Sequence, residues 1–243
     1  MRKSAVIKEP QWAQVTAVFG GTFDPPHLGH REAVRGLFSR PGVKRVLILP
    51  AAIPPLKQTL TSTPHRVEMA KICFSQEWLQ PYPTEIEFDL RELSRSGKSY
   101  TYDTLQELRV LVPDLAFVIG ADQLADLKRW HRFPEVLGLC HWLVLERKPA
   151  GQELSQSVLK DWESSGIARK QSPDLWQISG GGAATWLKTV PTDAPAISST
   201  SIREAISRTG QVPAKALYEP VSRYLYDHRL YGTSHPQGLK DRM

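Results

Sequence analysis

The stretch Phe19-Gly20-Gly21-Thr22-Phe23-Asp24-Pro25-Pro26-His27-Leu28-Gly29-His30 carries the residue types and spacing most able to do chemistry. A glycine pair between an apolar run and a helix start is a layout in which backbone N–H groups can face a phosphate. His27 and His30, three residues apart, fall on one side of the first helical turn. Anion-ready backbone beside paired imidazoles points to phosphoryl or nucleotidyl chemistry. A second stretch, Ile197-Ser198-Ser199-Thr200-Ser201-Ile202-Arg203-Glu204, sets a hydroxyl cluster at a helix start with an arginine one turn on. That is a second place for phosphate oxygens. It equally fits an ordinary capping box, since Thr200 or Ser201 with Glu204 nearly completes one.

The elements that must position these residues follow from the apolar pattern. Residues 15–19 read as a buried strand and 28–39 as a helix stopped by Pro41-Gly42, with a second strand at 43–49. Strand, helix, strand predicts a right-handed parallel crossover. Further strands are expected at 84–88, 115–119 and 141–145, with helices from about 65 to 75 and from about 99 through Leu111. Residues 90–98 read as a loop and 133–139 as a short helix. The fold expected is Rossmann-like α/β: a doubly wound, mainly parallel sheet of five to six strands with a small C-terminal helical part. Its boundaries are an N-terminal extension over 1–14, the main domain over 15–195, a helical part over 196–230 and a mobile tail over 231–243. Within the main domain, 151–194 reads as a variable insertion, with a helix near 155–163, a flexible turn at Gly180-Gly181-Gly182 and an alternating run at 185–190. Two last helices are expected at about 213–218 and 220–228.

In open α/β sheets ligands bind beyond the carboxyl ends of strands. Two further candidates lie there. Lys57, in the proline-stiffened loop after the second strand, fits a substrate loop or a plain connector. Asp122, just past the fourth strand in Gly120-Ala121-Asp122, fits a ribose contact or a helix-start residue favoured by the dipole.

The bulk composition narrows the class. A chain of 243 residues with 41% apolar and 23% charged residues can bury a full core as a globular protein. No apolar run approaches the roughly 20 residues that span a bilayer, and the basic N-terminus lacks the apolar core of a secretory signal. The expected location is the cytoplasm. Cys73 and Cys140 are far apart in apolar surroundings, which suits core packing rather than a disulfide or a metal site. A net charge of +6 comes from scattered lysines and arginines, a field that attracts small phosphorylated substrates as readily as nucleic acid.

Together the two stretches resemble the nucleotidylyltransferase superfamily, whose signatures are H-x-G-H, here His27 to His30, and I-S-S-T-x-I-R, here Ile197 to Arg203. Within it the chain resembles the bacterial nicotinate-nucleotide adenylyltransferases. That narrower likeness rests on Gly20 to Pro25, the Pro54-Pro55-Leu56-Lys57 loop, Ser99 to Leu105, and Gly120-Ala121-Asp122 with Trp130-His131-Arg132. It covers about residues 15–149 and 195–228. The chain departs from the family at Arg147-Lys148-Pro149-Ala150-Gly151, where an Arg-Pro-Gly turn is usual, and in the length of 151–194.

The resemblance implies adenylyl transfer from ATP to nicotinate mononucleotide, giving nicotinate adenine dinucleotide and pyrophosphate. It implies catalytic roles for Thr22, His27, His30 and Arg203. Contacts to ATP are implied for Gly20, Gly21, Phe23, Gly120, Asp122, Ser199 and Thr200 besides those four, and contacts to the acceptor for Lys57, Thr101, Asp122 and Trp130. Trp130, the ring-stacking candidate, fits core packing as well. Magnesium is expected on the ATP phosphates and water rather than in a protein cage. The partners implied are small molecules, with no nucleic acid or membrane and with room for a homo-oligomer. The alternatives are a related transferase for nicotinamide mononucleotide or phosphopantetheine, a nucleotide-binding regulator without turnover, and a nucleic-acid-binding module.

Overall fold

A computed structural model of the chain describes residues 7–55, 59–75, 85–147 and 149–234. The strands are β1 (Thr16–Gly21), β2 (Arg45–Pro50), β3 (Glu85–Phe88), β4 (Leu115–Gly120), β5 (His141–Arg147), β6 (Ala168–Ser172), β7 (Leu175–Ile178) and β8 (Thr185–Thr192). The helices are α1 (Leu28–Ser39), α2 (Thr63–Cys73), α3 (Thr101–Leu111), α4 (Ala121–Asp126), α5 (Ala150–Ser164), α6 (Ser199–Thr209) and α7 (Glu219–Asp227). All strands join one sheet in the order β3-β2-β1-β4-β5-β8-β7-β6. From β3 to β8 every pairing is parallel. The order reverses between β1 and β4, so a ligand crevice opens at their carboxyl ends.

Parallel strands covered on both faces need apolar side chains at consecutive positions. In β1, Ala17 and Phe19 join the core beneath α1, α2, α6 and α7. Val18 points the other way, into the core shared with α3, α4 and α5. In β4 the same division separates Ala116 and Val118 from Phe117 and Ile119. Both cysteines are buried and free, and burial pushes the Cys73 thiol up to about 12. They are packing residues.

The structure corrects the expected fold in several places. The stretch 151–194 is α5, an antiparallel hairpin and β8, and the sheet has eight strands. β8 pairs parallel with β5, Trp142 opposite Leu187 and Leu145 opposite Val190, so the alternating run at 185–190 is the sixth parallel strand. The turn at 180–182 is packed, with the Gly181 backbone directly against Gly138. Residues 213–218 form turns, because Lys215 takes a left-handed φ of 58° and so few residues cannot offset helix nucleation. Within 90–98, Arg91–Ser94 is a 3₁₀ turn held by Asp89, which accepts the Arg91 N–H at 3.0 Å. The short helix at 133–139 is a 3₁₀ turn over Glu135–Gly138. Residues 231–234 are docked: the Thr233 hydroxyl donates to Leu225 O at 2.8 Å and Ser234 N–H to Gly210 O at 3.0 Å. Residues 235–243 lie outside the described residues.

At the carboxyl end of β5, Glu146 is 3% exposed and accepts the Ser155 hydroxyl of α5. Burial raises its pKa above the ordinary carboxylate value; the Ser155 bond opposes the rise and Asp174 adds to it. A raised carboxyl contributes stability that is present below the unfolded-state value and lost as pH rises through the folded one. Glu146→Gln keeps an acceptor for Ser155 and removes the buried charge. The expected outcome in thermal melts is a Tm a few degrees above wild type at pH 8, on the roughly 2–4 °C per kcal/mol of a chain this size, with the gain vanishing towards pH 4.

Candidate active site

β1 delivers Gly20 and Gly21 to the crevice, and the chain then turns sharply. Phe23 takes a left-handed φ of 51° and drops its ring, 1% exposed, into the core. There it meets Phe74 at 5.5 Å and the underside of His30 at 5.3 Å between ring centroids. A Cβ at Gly21 would stand 2.6 Å from that ring, so only glycine fits. Phe23 thus acts from beneath, as a floor for His30.

The two histidines open α1. The ring of His27 stacks on that of His30 with centroids 3.7 Å apart. The His27 backbone N–H donates to His30 Nδ1 at 3.1 Å, which caps the helix with its own third residue. A ring that accepts at Nδ1 carries its proton, when neutral, on Nε2. His30 Nε2 is therefore a donor. A Cβ at Gly29 would lie 2.9 Å from His27 Nδ1, so the glycine of the motif lets the His27 ring lie across the helix start.

α6 reaches the same loop from the far end of the chain. Ser198 caps it by accepting the Ser201 N–H at 3.0 Å. The Ser199 hydroxyl donates to Pro25 O at 2.9 Å, and Arg203 donates to Asp24 O at 2.8 Å and to the Thr200 hydroxyl at 3.3 Å. Two helix N-termini, with their dipoles, and one guanidinium thus meet at the Asp24-Pro25 loop, an arrangement that suits a polyanion. A cavity of about 500 Å³ along α6 is lined by Leu60, Thr200, Arg203, Glu204, Ser207 and Arg208.

Sequence reasoning missed the residues that hold this loop in place. Arg66 of α2 is fully buried and donates to Thr22 O and Ala51 O, both at 2.7 Å, to Ala52 O at 2.8 Å and to the Thr63 hydroxyl at 2.9 Å. Burial lowers its pKa from the ordinary arginine value, while Asp24 and Tyr231 oppose that. One side chain thus ties the ends of β1 and β2 together at the crevice. Asp24, 1% exposed, accepts the Leu60 N–H at 2.8 Å and the Tyr231 hydroxyl at 2.6 Å. Its carboxylate is occupied with loops. The buried face of α2 was the one signal for Arg66, because it puts an arginine beside Val67, Met69 and Ala70.

The residues expected to contact the acceptor lie across the switch point. Gly120 ends β4 and caps α4, with its N–H donating to Gln123 Oε1 at 3.0 Å, and Asp122 is exposed on the first turn. Trp130 is half-buried, edge-on to Phe117 at 6.2 Å and Trp142 at 6.5 Å, so part of its ring packs and part remains open. Thr101 starts α3. Its neighbours close on the Trp130 segment: Tyr100 lies on His131 at 4.5 Å and the Arg132 guanidinium sits 4.8 Å above the Tyr102 ring. The Ser99 hydroxyl accepts the Ala52 and Ile53 N–H groups at 3.1 and 3.3 Å, joining this side to the loop after β2. Lys57 lies outside the described residues. Among those residues no cluster of three His, Cys, Asp or Glu side chains could hold a metal ion, and no helix is long and apolar enough to cross a membrane.

Arg66→Lys keeps a charge but cannot reach four acceptors from one flat group. Leaving buried carbonyls without a donor costs about 1–3 kcal/mol each. The expected outcome is a folded protein whose Tm falls by about 5 °C or more, measured by calorimetry; an unchanged Tm would show that the clamp contributes nothing.

The geometry agrees with four likenesses. Residues 18–205 match the cytidylyltransferase-like family. A Pectobacterium atrosepticum protein named as a probable nicotinate-nucleotide adenylyltransferase is 35% identical over 222 residues, covering 89% of this chain and 98% of that one. A Yersinia enterocolitica protein of the same name is 33% identical over 219 residues, 88% of this chain and 94% of its own. In fold, the chain matches a Plasmodium falciparum nicotinic acid mononucleotide adenylyltransferase solved with APC, at a TM-score of 0.67 and 18% identity, covering 90% of this chain and 97% of that one. Signature, topology and likeness converge, and the chain belongs to the cytidylyltransferase-like family, among the nicotinate-nucleotide adenylyltransferases.

Proposed function

We propose that the protein transfers the adenylyl group of ATP to nicotinate mononucleotide, forming nicotinate adenine dinucleotide and pyrophosphate. The observation that carries this is the docking of the α6 N-terminus on the Asp24-Pro25 loop, which ties Ser199 and Arg203 to the same short loop that leads into the stacked His27–His30 pair. The nucleophile is a phosphate oxygen of the mononucleotide. It is already anionic, so no general base is needed. It attacks the α-phosphorus in line, a P–O bond forms, and the bond to the bridging oxygen of the β-phosphate breaks.

Charge moves onto the departing pyrophosphate, and the site's task is to receive it. His30 Nε2–H and His27 donate to the triphosphate. Thr22 and the backbone after Gly20-Gly21 border the α-phosphate. Ser199, Thr200 and Arg203 hold the β- and γ-phosphates. Magnesium, when bound, would be held by the ATP phosphates and water rather than by a protein cage and would neutralise charge on the triphosphate. Gly120 and Asp122 border the nucleoside, and Asp122 also lies within the acceptor crevice. The open part of the Trp130 ring offers a stacking face for the pyridine, with Thr101 at the α3 start as a polar contact and Lys57 as a further phosphate contact. We place the reaction in the cytoplasm, where ATP is at hand.

His30→Ala removes both the donor and the acceptor of the His27 N–H. Its expected effect is a loss of about 10²–10³-fold in kcat with the fold retained, and pyrophosphate release near the wild-type rate would contradict the mechanism. Substrate identity is tested separately, by pyrophosphate release from ATP and magnesium with nicotinate mononucleotide, nicotinamide mononucleotide or phosphopantetheine. The nicotinate form is expected to give the highest kcat/KM; preference for either other acceptor would overturn the substrate and leave the chemistry standing.

A further inference from the structure

Tyr231 stands 207 residues from Asp24 in sequence, yet its hydroxyl donates to Asp24 Oδ1 at 2.6 Å. Thr61 stands beside the same phenol. Asp24 Oδ2 accepts the Leu60 N–H at 2.8 Å, and the Asp24 carbonyl accepts Arg203 at 2.8 Å. One residue between Phe23 and Pro25 therefore meets the C-terminal turn, the 60–61 loop and the arginine of α6.

The turn that presents Tyr231 is built rather than trailing. Arg229 and Tyr231 hold left-handed φ values of 51° and 57°, a conformation that persists only where surrounding contacts enforce it. Those contacts run to α6. Ser234 N–H donates to Gly210 O at 3.0 Å, and Gln211 Nε2 donates to Ser234 O at 3.1 Å, both just past the end of that helix. α6 is thus held at its start through Ser199 and Arg203, and at its end through the C-terminal turn. Burial, and next Asp24, raise the Tyr231 phenol above its ordinary value, so it stays a donor across the working range.

We propose that Tyr231 is a positioning residue for the triphosphate site. By fixing the Asp24 carboxylate it fixes the peptide carbonyl that aims Arg203, and so the C-terminal turn sets the affinity for ATP. Tyr231 itself touches no substrate. The inference rests on the assignment of Arg203 to the ATP phosphates.

The test is titration calorimetry of the full chain with α,β-methylene ATP and magnesium, together with steady-state KM values for ATP and for the mononucleotide. Tyr231→Phe keeps the ring and removes one hydroxyl. Its expected effect is about tenfold weaker binding of the analogue and a matching rise in KM for ATP, with KM for the mononucleotide unchanged. Asp24→Asn, which keeps one acceptor, is expected to weaken binding to a similar degree. The double variant should be no weaker than Asp24→Asn alone, since the two side chains act through one contact. Thr185→Val, on β8, is the structural control: it removes the buried bond of the Thr185 hydroxyl to Leu137 O and is expected to lower Tm without moving ATP affinity. Binding by Tyr231→Phe within twofold of wild type overturns the proposal, as does an equal rise in both KM values. A wild-type chain that fails to bind the analogue overturns the ATP assignment itself and the proposal with it.

Discussion

The hydrogen bond from Arg203 to the Asp24 carbonyl joins residues 179 apart in sequence, and the architecture of the site depends on that junction. A guanidinium aimed at a neutral carbonyl keeps its full charge for a ligand. Meanwhile the peptide that holds it belongs to the turn carrying Thr22 and leading to His27. The N-terminal ends of α1 and α6 are therefore set by one short stretch of backbone. Arg66 fixes that stretch from α2 and Tyr231 from the C-terminus, so the stretch is positioned before any nucleotide arrives. Preorganised donors of this kind need no reorganisation when charge shifts in the transition state.

The electrostatic design follows from the substrates. Two anions must meet, and the attacking one needs no deprotonation. The site accordingly offers N–H groups, hydroxyls, imidazoles and an arginine, while Asp24, the carboxylate in the turn, is occupied by Leu60 and Tyr231. The histidine pair fits the same logic. His30 spends Nδ1 on the helix cap, which leaves Nε2–H as the donor. A net charge of +6 adds a long-range field of the sign that draws phosphates in.

Much of this was legible in the sequence, and the limits have physical reasons. His27, Gly29 and His30 act within one helical turn, so their spacing alone discloses their relation. The inner parallel strands β1, β2, β4 and β5 are apolar on both faces and read as such. β8 was harder, because it follows a hairpin whose β6, Ala-Arg-Lys-Gln-Ser, lies at the sheet edge with a polar sequence. Arg66 and Tyr231 were hard to find by pattern, since each acts through contacts to residues remote in sequence. Only the apolar neighbours Val67, Met69 and Ala70 mark Arg66 as lying on the buried side of α2. The C-terminal segment misled for the same reason: a polar sequence near a terminus reads as loose unless its partners are known. Of the expected substrate contacts, the Trp130 and Thr101 regions do converge, but through Tyr100, Tyr102, His131 and Arg132, which had no assigned role.

The central claim is that the α1 and α6 N-termini hold one triphosphate between them. A crystal structure of the chain with α,β-methylene ATP and magnesium tests it most directly. The account predicts phosphate oxygens within hydrogen-bonding distance, about 3 Å, of His30 Nε2 on one side and of Arg203 with Ser199 or Thr200 on the other. A triphosphate that contacts only one of the two helix ends, or lies away from both, would contradict it.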